Sequence, residues 1–258
     1  MTQKIIFFDI DNTLLDYEKK LPESTKKAVQ QLQDDGHIVA IASGRAPFAF
    51  KNLLETLNIS TYVSLNGQYV VYKNQAIYEN QLDFAALNQL NEAAAESEHP
   101  IVYLDHEDWR SSVEYHPHVE EAVSSLKLNH PVTYDPNYYR NHAIYQSLLF
   151  CDGEAELQYK EKFPQFEFIR WHRYSVDVLP NGGSKANGIK NLIHHLGIDL
   201  NNTYAFGDGL NDIEMLKFIP NSVAMGNAEL PVKEVAKHIT KDVNQNGVFH
   251  GLKIVGLL

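Results

Sequence analysis

The chain has 258 residues, of which 44% are hydrophobic and 21% charged, as expected for a globular protein of one large or two moderate domains. Its 33 acidic and 22 basic residues give a net charge of −11, which argues against general binding to nucleic acid or to a membrane. A single cysteine excludes an intrachain disulfide. The sequence shows neither a secretory pattern nor an apolar segment long enough to span a membrane, so we expect a cytoplasmic protein. No obligatory protein partner is evident from the sequence.

The first third of the chain alternates predicted strands and helices. We predict strands over 4–8, 37–42 and 62–65, helices over 22–35 and 47–57, and a hairpin of strands 69–72 and 76–78. The turn Asn66-Gly67 ends the third strand. The runs before Asp9 and Ser43 are almost wholly apolar, which is typical of parallel strands buried on both faces.

The hydrophobic pattern of the sequence changes near residue 83. Helices are predicted over 84–97, 118–126 and 154–163, and strands over 101–104, 109–115, 143–150 and 166–179. These strands alternate between apolar and polar residues, which indicates a sheet with one wetted face. The segment has the size of a small domain.

After Asn181-Gly182-Gly183 the first pattern resumes. We predict helices over 184–196, 212–218 and 230–236, and strands over 203–206 and 222–224. The simplest interpretation is an α/β core formed by 1–82 and 183–258, interrupted by an inserted domain at 83–182.

Polar motifs follow three of the buried strands. They are Asp9-Ile10-Asp11-Asn12-Thr13, Ser43-Gly44-Arg45 and Gly207–Asp212, and Lys185 lies at a predicted helix start. Ligands of an open α/β sheet bind at the carboxyl ends of its strands, so we expect these groups to meet in one active site.

The side chains suit hydrolysis of a phosphate monoester. Asp9 is a suitable nucleophile, and Asp11 could protonate the leaving oxygen and then deprotonate water. Asp208 could join Asp9 in holding a hard cation, with Asp212 supporting that site.

Other residues of the motifs suit an anion. Ser43 offers a hydroxyl, Gly44 a backbone N–H, Lys185 a positive charge and Asn211 an amide. Arg45 follows the phosphate site and is expected to face the inserted domain or the substrate.

On these four motifs the chain resembles the haloacid dehalogenase-like hydrolase superfamily. The insertion, Ser43-Gly44-Arg45, Asn66-Gly67, the segment 222–227 and Asn246-Gly247-Val248 resemble its Cof-type branch. The resemblance covers essentially the whole chain. It implies a Rossmann-like parallel sheet with helices on both faces, an inserted α/β cap domain, and Mg²⁺-dependent phosphatase activity on sugar phosphates or similar small metabolites.

The resemblance also implies roles for single residues. Mg²⁺ would be held by Asp9, the backbone carbonyl of Asp11, and Asp208. The phosphate and substrate ligands would be Ile10, Ser43, Gly44, Arg45, Asn66, Lys185 and Asn211, and the catalytic residues Asp9, Asp11, Ser43 and Lys185.

Two other functions stay open. One is phosphotransfer between sugar positions, as in related phosphomutases. The other is a switch that is phosphorylated on Asp9, but Asp11 argues against it because a carboxylate that activates water shortens the life of an acyl phosphate.

Overall fold

A computed structural model describes residues 2–258. The strands are β1 (Ile5–Phe8), β2 (Ile38–Ala42), β3 (Tyr62–Ser64), β4 (Tyr69–Tyr72), β5 (Gln75–Glu79), β6 (Ile101–Leu104), β7 (Trp109–Ser111), β8 (Thr133–Tyr134), β9 (Gln146–Phe150), β10 (Phe166–His172), β11 (Ser175–Pro180), β12 (Thr203–Gly207), β13 (Asn221–Ala224) and β14 (His238–Ile239). The helices are α1 (Glu23–Asp34), α2 (Lys51–Leu57), α3 (Phe84–Glu96), α4 (Pro117–Ser125), α5 (Tyr138–Asn141), α6 (Gly153–Lys162), α7 (Lys185–Leu196), α8 (Ile213–Phe218), α9 (Leu230–Val235) and α10 (Gly247–Ile254). Within 2–258, none of these helices combines the length and apolarity that a bilayer crossing needs.

The chain divides into two compact units. The first comprises the residues up to Gly44 together with Lys51–Tyr78 and Ser184–Leu258. The second comprises Arg45–Phe50 and Glu79–Gly183. That 83–182 is a separate domain inserted into a core of 1–82 and 183–258 stays a prediction.

The first unit is built on an eight-stranded sheet of order β14-β13-β12-β1-β2-β3-β4-β5. Neighbouring strands from β14 to β3 are parallel, and β4 is antiparallel to β3. Ile5 and Phe7 of β1 pack in one cluster with residues of α7, α8 and α9. On the other face α1 contacts β2 and α10. The predicted α/β fold, a Rossmann-like parallel sheet with helices on both faces, is therefore confirmed.

The second unit has a six-stranded sheet of order β10-β11-β9-β6-β7-β8. All its pairs are antiparallel except β7 with β8. Alternate residues such as Ile101 and Tyr103 share a buried cluster with Leu87 and Leu90 of α3 and Tyr159 of α6. In β6 and β9, however, every residue is buried, so the predicted wetted face is wrong for these strands. Strand β10 shows the predicted alternation at its start, where Phe166 and Phe168 are buried and Glu167 between them is exposed.

Several elements differ from the sequence prediction. The short elements β8, α5 and β14 were not predicted, and β7 ends at Ser111 where a strand over 109–115 was predicted. The strand predicted over 166–179 is a hairpin, β10 and β11, turning at Arg173-Tyr174 without the glycine or asparagine that marks most tight turns. The helix predicted over 47–57 begins with a 3₁₀ turn, Pro47–Phe50. Helix α10 was not predicted, because Gly247 and Gly251 weaken its local helix signal.

Candidate active site

The first unit brings three of the polar motifs to one edge of its sheet. Strands β12, β1 and β2 are adjacent and parallel, so their carboxyl ends lie side by side. Asp9 follows β1, Ser43 follows β2 and Asp208 follows β12. This arrangement was predicted from the rule that ligands of an open α/β sheet bind at the carboxyl ends of its strands, here called the strand-end rule.

Lys185 joins two of the carboxylates. Its ammonium donates to Asp9 Oδ1 and to Asp212 Oδ1, each at 2.6 Å, and its side chain is fully buried. Lys185 is the first residue of α7, which Ser184 caps by accepting from the N–H of Asn187. The helix start therefore delivers a fixed positive charge between two acids.

Two glycines allow α7 to lie this close to the sheet. A Cβ on Gly67, where φ is +94°, would lie 2.0 Å from the carbonyl oxygen of Ser184. A Cβ on Gly188 would lie 2.5 Å from Val63 Cγ1. Because Cβ atoms do not occur at such distances, side chains here would push the start of α7 and Lys185 away from Asp9.

Asp212 organises the turn after β12. Its Oδ2 accepts from the backbone N–H groups of Asp208 and Gly209, each at 3.0 Å. A Cβ on Gly207 would lie 2.6 Å from the same carboxylate oxygen. Both oxygens of Asp212 are thus engaged, one by Lys185 and one by the turn, which suits the supporting role predicted for it.

Asp208 is held by two residues that lie in the named sequence motifs but were given no role there. Thr13 Oγ1 donates to Asp208 Oδ1 at 3.1 Å. Asn227 Nδ2 donates to the carbonyl of Asn12 at 2.9 Å and makes a long contact of 3.4 Å with Asp208 Oδ2. Asn227 lies just beyond β13, the next parallel strand, so the strand-end rule could have found it.

Negative charge is concentrated at this edge. Carboxylate oxygens of Asp9, Asp208 and Asp212 all lie within 4.8 Å of one another. Burial raises the pKa of Asp9 well above its ordinary value; Lys185 lowers it, but the other carboxylates act with burial. Burial also raises the pKa of Asp208 to about 7, with Asp212 as the next cause. Although burial disfavours the charge of Lys185, Asp212 and Asp9 hold its pKa above the ordinary value.

This donor set fits a hard divalent cation. Carboxylate oxygens are the ligands that Mg²⁺ and Ca²⁺ prefer, and repulsion among the acids would be relieved by a cation. Asp212 already accepts three hydrogen bonds, from Lys185 and from two backbone N–H groups, so Asp9 and Asp208 are the side chains better suited to hold it.

A second group of predicted residues lies together beside this cluster of acids. Asn66 is buried, has a left-handed backbone with φ of 51°, and donates its N–H to the carbonyl of Ser43. Asn211 Nδ2 approaches Asn66 Oδ1 at 3.4 Å, and a Cβ on Gly44 would lie 2.9 Å from the same oxygen. Ser43, Gly44, Asn66 and Asn211 therefore form one polar patch.

Three predicted site residues, Ile10, Arg45 and Asp11, belong neither to the cluster of acids nor to the polar patch. Ile10 directly follows Asp9 and its side chain is fully buried. Arg45 belongs to the second unit, so its substrate role stays a prediction. Asp11 is half-buried, and its Oδ1 accepts from Lys19 Nζ at 2.5 Å, a contact that no sequence motif indicated.

Comparison with known proteins agrees with this geometry. Residues 6–252 match the family model described as haloacid dehalogenase-like hydrolase. The chain is 48% identical to "Putative phosphatase YkrA" of Bacillus subtilis over the whole of both chains. A solved structure of a hypothetical protein from Geobacillus kaustophilus is 50% identical, with a TM-score of 0.94 and full coverage of both chains. The sugar phosphatase BT4131 is 29% identical, with a TM-score of 0.87 over 99% of this chain and 100% of its own.

Proposed function

The chain belongs to the haloacid dehalogenase-like hydrolase family and is a phosphatase, and from this premise we propose that it is a Mg²⁺-dependent enzyme that hydrolyses small phosphorylated metabolites through an aspartyl-phosphate on Asp9. The observation that supports this most is the buried contact of Lys185 with Asp9 beside Asp208. The two carboxylates and the ammonium would serve as nucleophile, metal ligand and cation, the groups that phosphoryl transfer from a dianion requires.

The chemistry needs two acidic residues in different roles. A carboxylate oxygen of Asp9 attacks phosphorus while the bond from phosphorus to the leaving oxygen breaks, and Asp11 gives that oxygen its proton. Asp11 then takes a proton from water as the water oxygen attacks phosphorus. The bond between phosphorus and Asp9 breaks, which releases inorganic phosphate and restores both carboxyl groups.

The need for a metal follows from the electrostatics of Asp9. Its pKa is raised although Lys185 touches it, so the lysine alone does not offset burial and the neighbouring acids. A protonated carboxyl is a poor nucleophile. Mg²⁺ held by Asp9, the carbonyl of Asp11 and Asp208 would supply the missing positive charge there.

The substrate would be bound by the polar patch and its neighbours. In this proposal Ser43, Gly44, Asn211, Lys185 and the N–H of Ile10 hold the phosphoryl oxygens. Asn66 would contact the rest of the substrate, and a substrate role for Arg45 of the second unit stays a prediction. Sugar phosphates are the first class to examine, because a relative of the same fold is a sugar phosphatase.

The proposal is tested by a screen of phosphorylated metabolites in which released phosphate is measured. We expect at least one sugar phosphate or similar compound to be hydrolysed in Mg²⁺. Activity should disappear in a chelator and return when Mg²⁺ is restored, since Asp9 then regains a second positive partner besides Lys185. Full activity after thorough chelation would contradict the metal requirement.

The screen needs a variant that lacks the nucleophile. Asp9→Asn should lower kcat by about a thousandfold or more, because an amide does not form the phosphoryl intermediate. Asp35→Asn, at an exposed aspartate, is the matched control and should match the unaltered protein. Near-normal turnover by Asp9→Asn would refute the aspartyl-phosphate.

A further inference from the structure

The Asp11 carboxylate has a cationic neighbour outside all the motifs. Lys19 Nζ lies 2.5 Å from Asp11 Oδ1, and the two side chains are 28% and 33% exposed. Both groups belong to the first unit. A pair this close and half withdrawn from water restrains its side chains more than a fully solvated pair does.

The chain around Lys19 forms a defined turn. Asp16 Oδ1 accepts from the N–H groups of Glu18 and Lys20, each at 2.9 Å. The backbone of Asp16 also exchanges hydrogen bonds with its neighbours: its N–H donates to Lys20 O, and its carbonyl accepts from Lys19 N. Four hydrogen bonds thus fix a five-residue segment.

Lys19 itself has an unusual backbone. Its φ is +62°, in the left-handed region that residues with a Cβ rarely adopt. Such a conformation persists where surrounding contacts determine it, and it often marks a functional position. Here the turn directs a lysine side chain back to the motif that begins at Asp9.

The loop between the two partners is also anchored. Leu15 N–H donates to the carbonyl of Ile10 at 2.8 Å, and Leu15 forms an isolated bridge with Asp11. Leu14 is fully buried. Asp11 and Lys19 are therefore the two ends of one closed loop, so the position of each is tied to the other.

We propose that Lys19 is a positioning residue for Asp11. Its ammonium holds Oδ1 of Asp11 and so fixes the direction of Oδ2, the oxygen that would carry the proton to the leaving oxygen. This inference rests on the proposed function, since it assigns Lys19 a part only if Asp11 is the general acid. A misdirected acid matters most for substrates whose leaving oxygen needs that proton.

The experiment compares two probes, 2-glycerophosphate and p-nitrophenyl phosphate. The alkoxide of the first is a poor leaving group, and the nitrophenolate of the second departs without protonation. For both, kcat/KM reports the steps up to departure of the leaving group. The ratio of the two kcat/KM values is independent of the fraction of folded enzyme, so a loss of stability alone does not change it.

We expect Lys19→Met to lower this ratio by about tenfold, a part of the effect of a general acid. Lys19→Arg should keep the ratio within about threefold of the unaltered enzyme, because it retains the positive charge. Lys20→Met is the matched control: Lys20 pairs with Glu18 at the same 2.5 Å, but with side chains 72% and 71% exposed. It should leave the ratio unchanged.

Several outcomes would overturn the inference. They are an unchanged ratio in Lys19→Met, an equal loss on both probes, the same fall in Lys20→Met, or a fall in Lys19→Arg as large as in Lys19→Met. Asp11→Asn separates the two levels of the argument. If Asp11→Asn lowers the ratio and Lys19→Met does not, only the role of Lys19 fails; if neither does, the general-acid assignment fails with it.

Discussion

At the scale of single residues, Lys185 is the group on which the site depends most. Its ammonium is fully buried between Asp9 and Asp212, so an amine and two carboxyl groups lie together with little or no contact with solvent. Taking such charges out of water is costly, and only their contacts compensate. Removing one partner leaves the others uncompensated.

We predict that Lys185→Met destabilises the protein by about 3–5 kcal/mol, the usual effect of breaking a buried ion pair, and abolishes phosphatase activity. Urea unfolding followed by circular dichroism measures the first effect. Lys190→Met, at an exposed lysine of the same helix, is the control and should change stability by less than about 0.5 kcal/mol. A loss below about 1 kcal/mol for Lys185→Met would show that the pair is not needed for stability.

At the scale of elements, the placement of α7 determines where Lys185 lies. The helix approaches β3 and the turn after it through Gly188 and Gly67. In most helices alanine would be preferred to glycine by about 1 kcal/mol. Here that preference is outweighed by the lack of space for a Cβ.

Gly188→Ala should therefore destabilise the protein, by about 1–3 kcal/mol as for other overpacked sites. It should also lower kcat/KM, because α7 would move and take Lys185 with it. The matched control is Gly153→Ala at the start of α6, where a Cβ would meet no atom within 4 Å. A stabilising Gly188→Ala, measured by the same urea unfolding, would disprove the close-packing argument.

At the scale of the whole molecule, the cluster of acids links stability to pH and to divalent cations. The pKa of Asp208 is raised to about 7 from 3.8, and the pKa of Asp9 is raised as well. A carboxyl whose pKa is higher in the folded state stabilises the fold below its unfolded pKa, and that stabilisation is lost as pH rises through the folded pKa. For Asp208 the loss occurs between about pH 4 and pH 7.

We expect the metal-free protein to lose this contribution over that pH window and Mg²⁺ to restore it. The rise in Tm on adding Mg²⁺ should therefore be larger at pH 7.5 than at pH 5, because protons and Mg²⁺ compete for the same oxygens. Calorimetry at both pH values, with NaCl at equal ionic strength as the control, measures it. Since the chain carries a net charge of −11, the NaCl control separates a specific site from general screening. An equal Tm rise at both pH values would contradict the linkage.

The local sequence sufficed for much of the fold. Buried strands such as β1 and β2 are continuous apolar runs, and helices such as α1 and α7 have clear ends, so their bounds were predicted to within about two residues, the usual limit of boundary assignment. The β10–β11 hairpin, α10 and the short elements β8, α5 and β14 were missed. The hairpin turn at Arg173-Tyr174 lacks the usual turn residues, and α10 is stabilised by packing, since Gly251 lies directly against Phe206.

By itself the sequence determined the family, the α/β class and the candidate residues, because motif spacing and hydrophobic periodicity are local properties. Only the tertiary structure decided which side chains touch. Lys185 and Asp9 are 176 positions apart, and Asn227 and Asn12 are 215 apart. Their contacts depend on strand order and on the close approach of α7, neither of which a local pattern encodes. The contact of Lys19 with Asp11 spans only eight positions, yet it needs a left-handed backbone that a lysine gives no reason to expect.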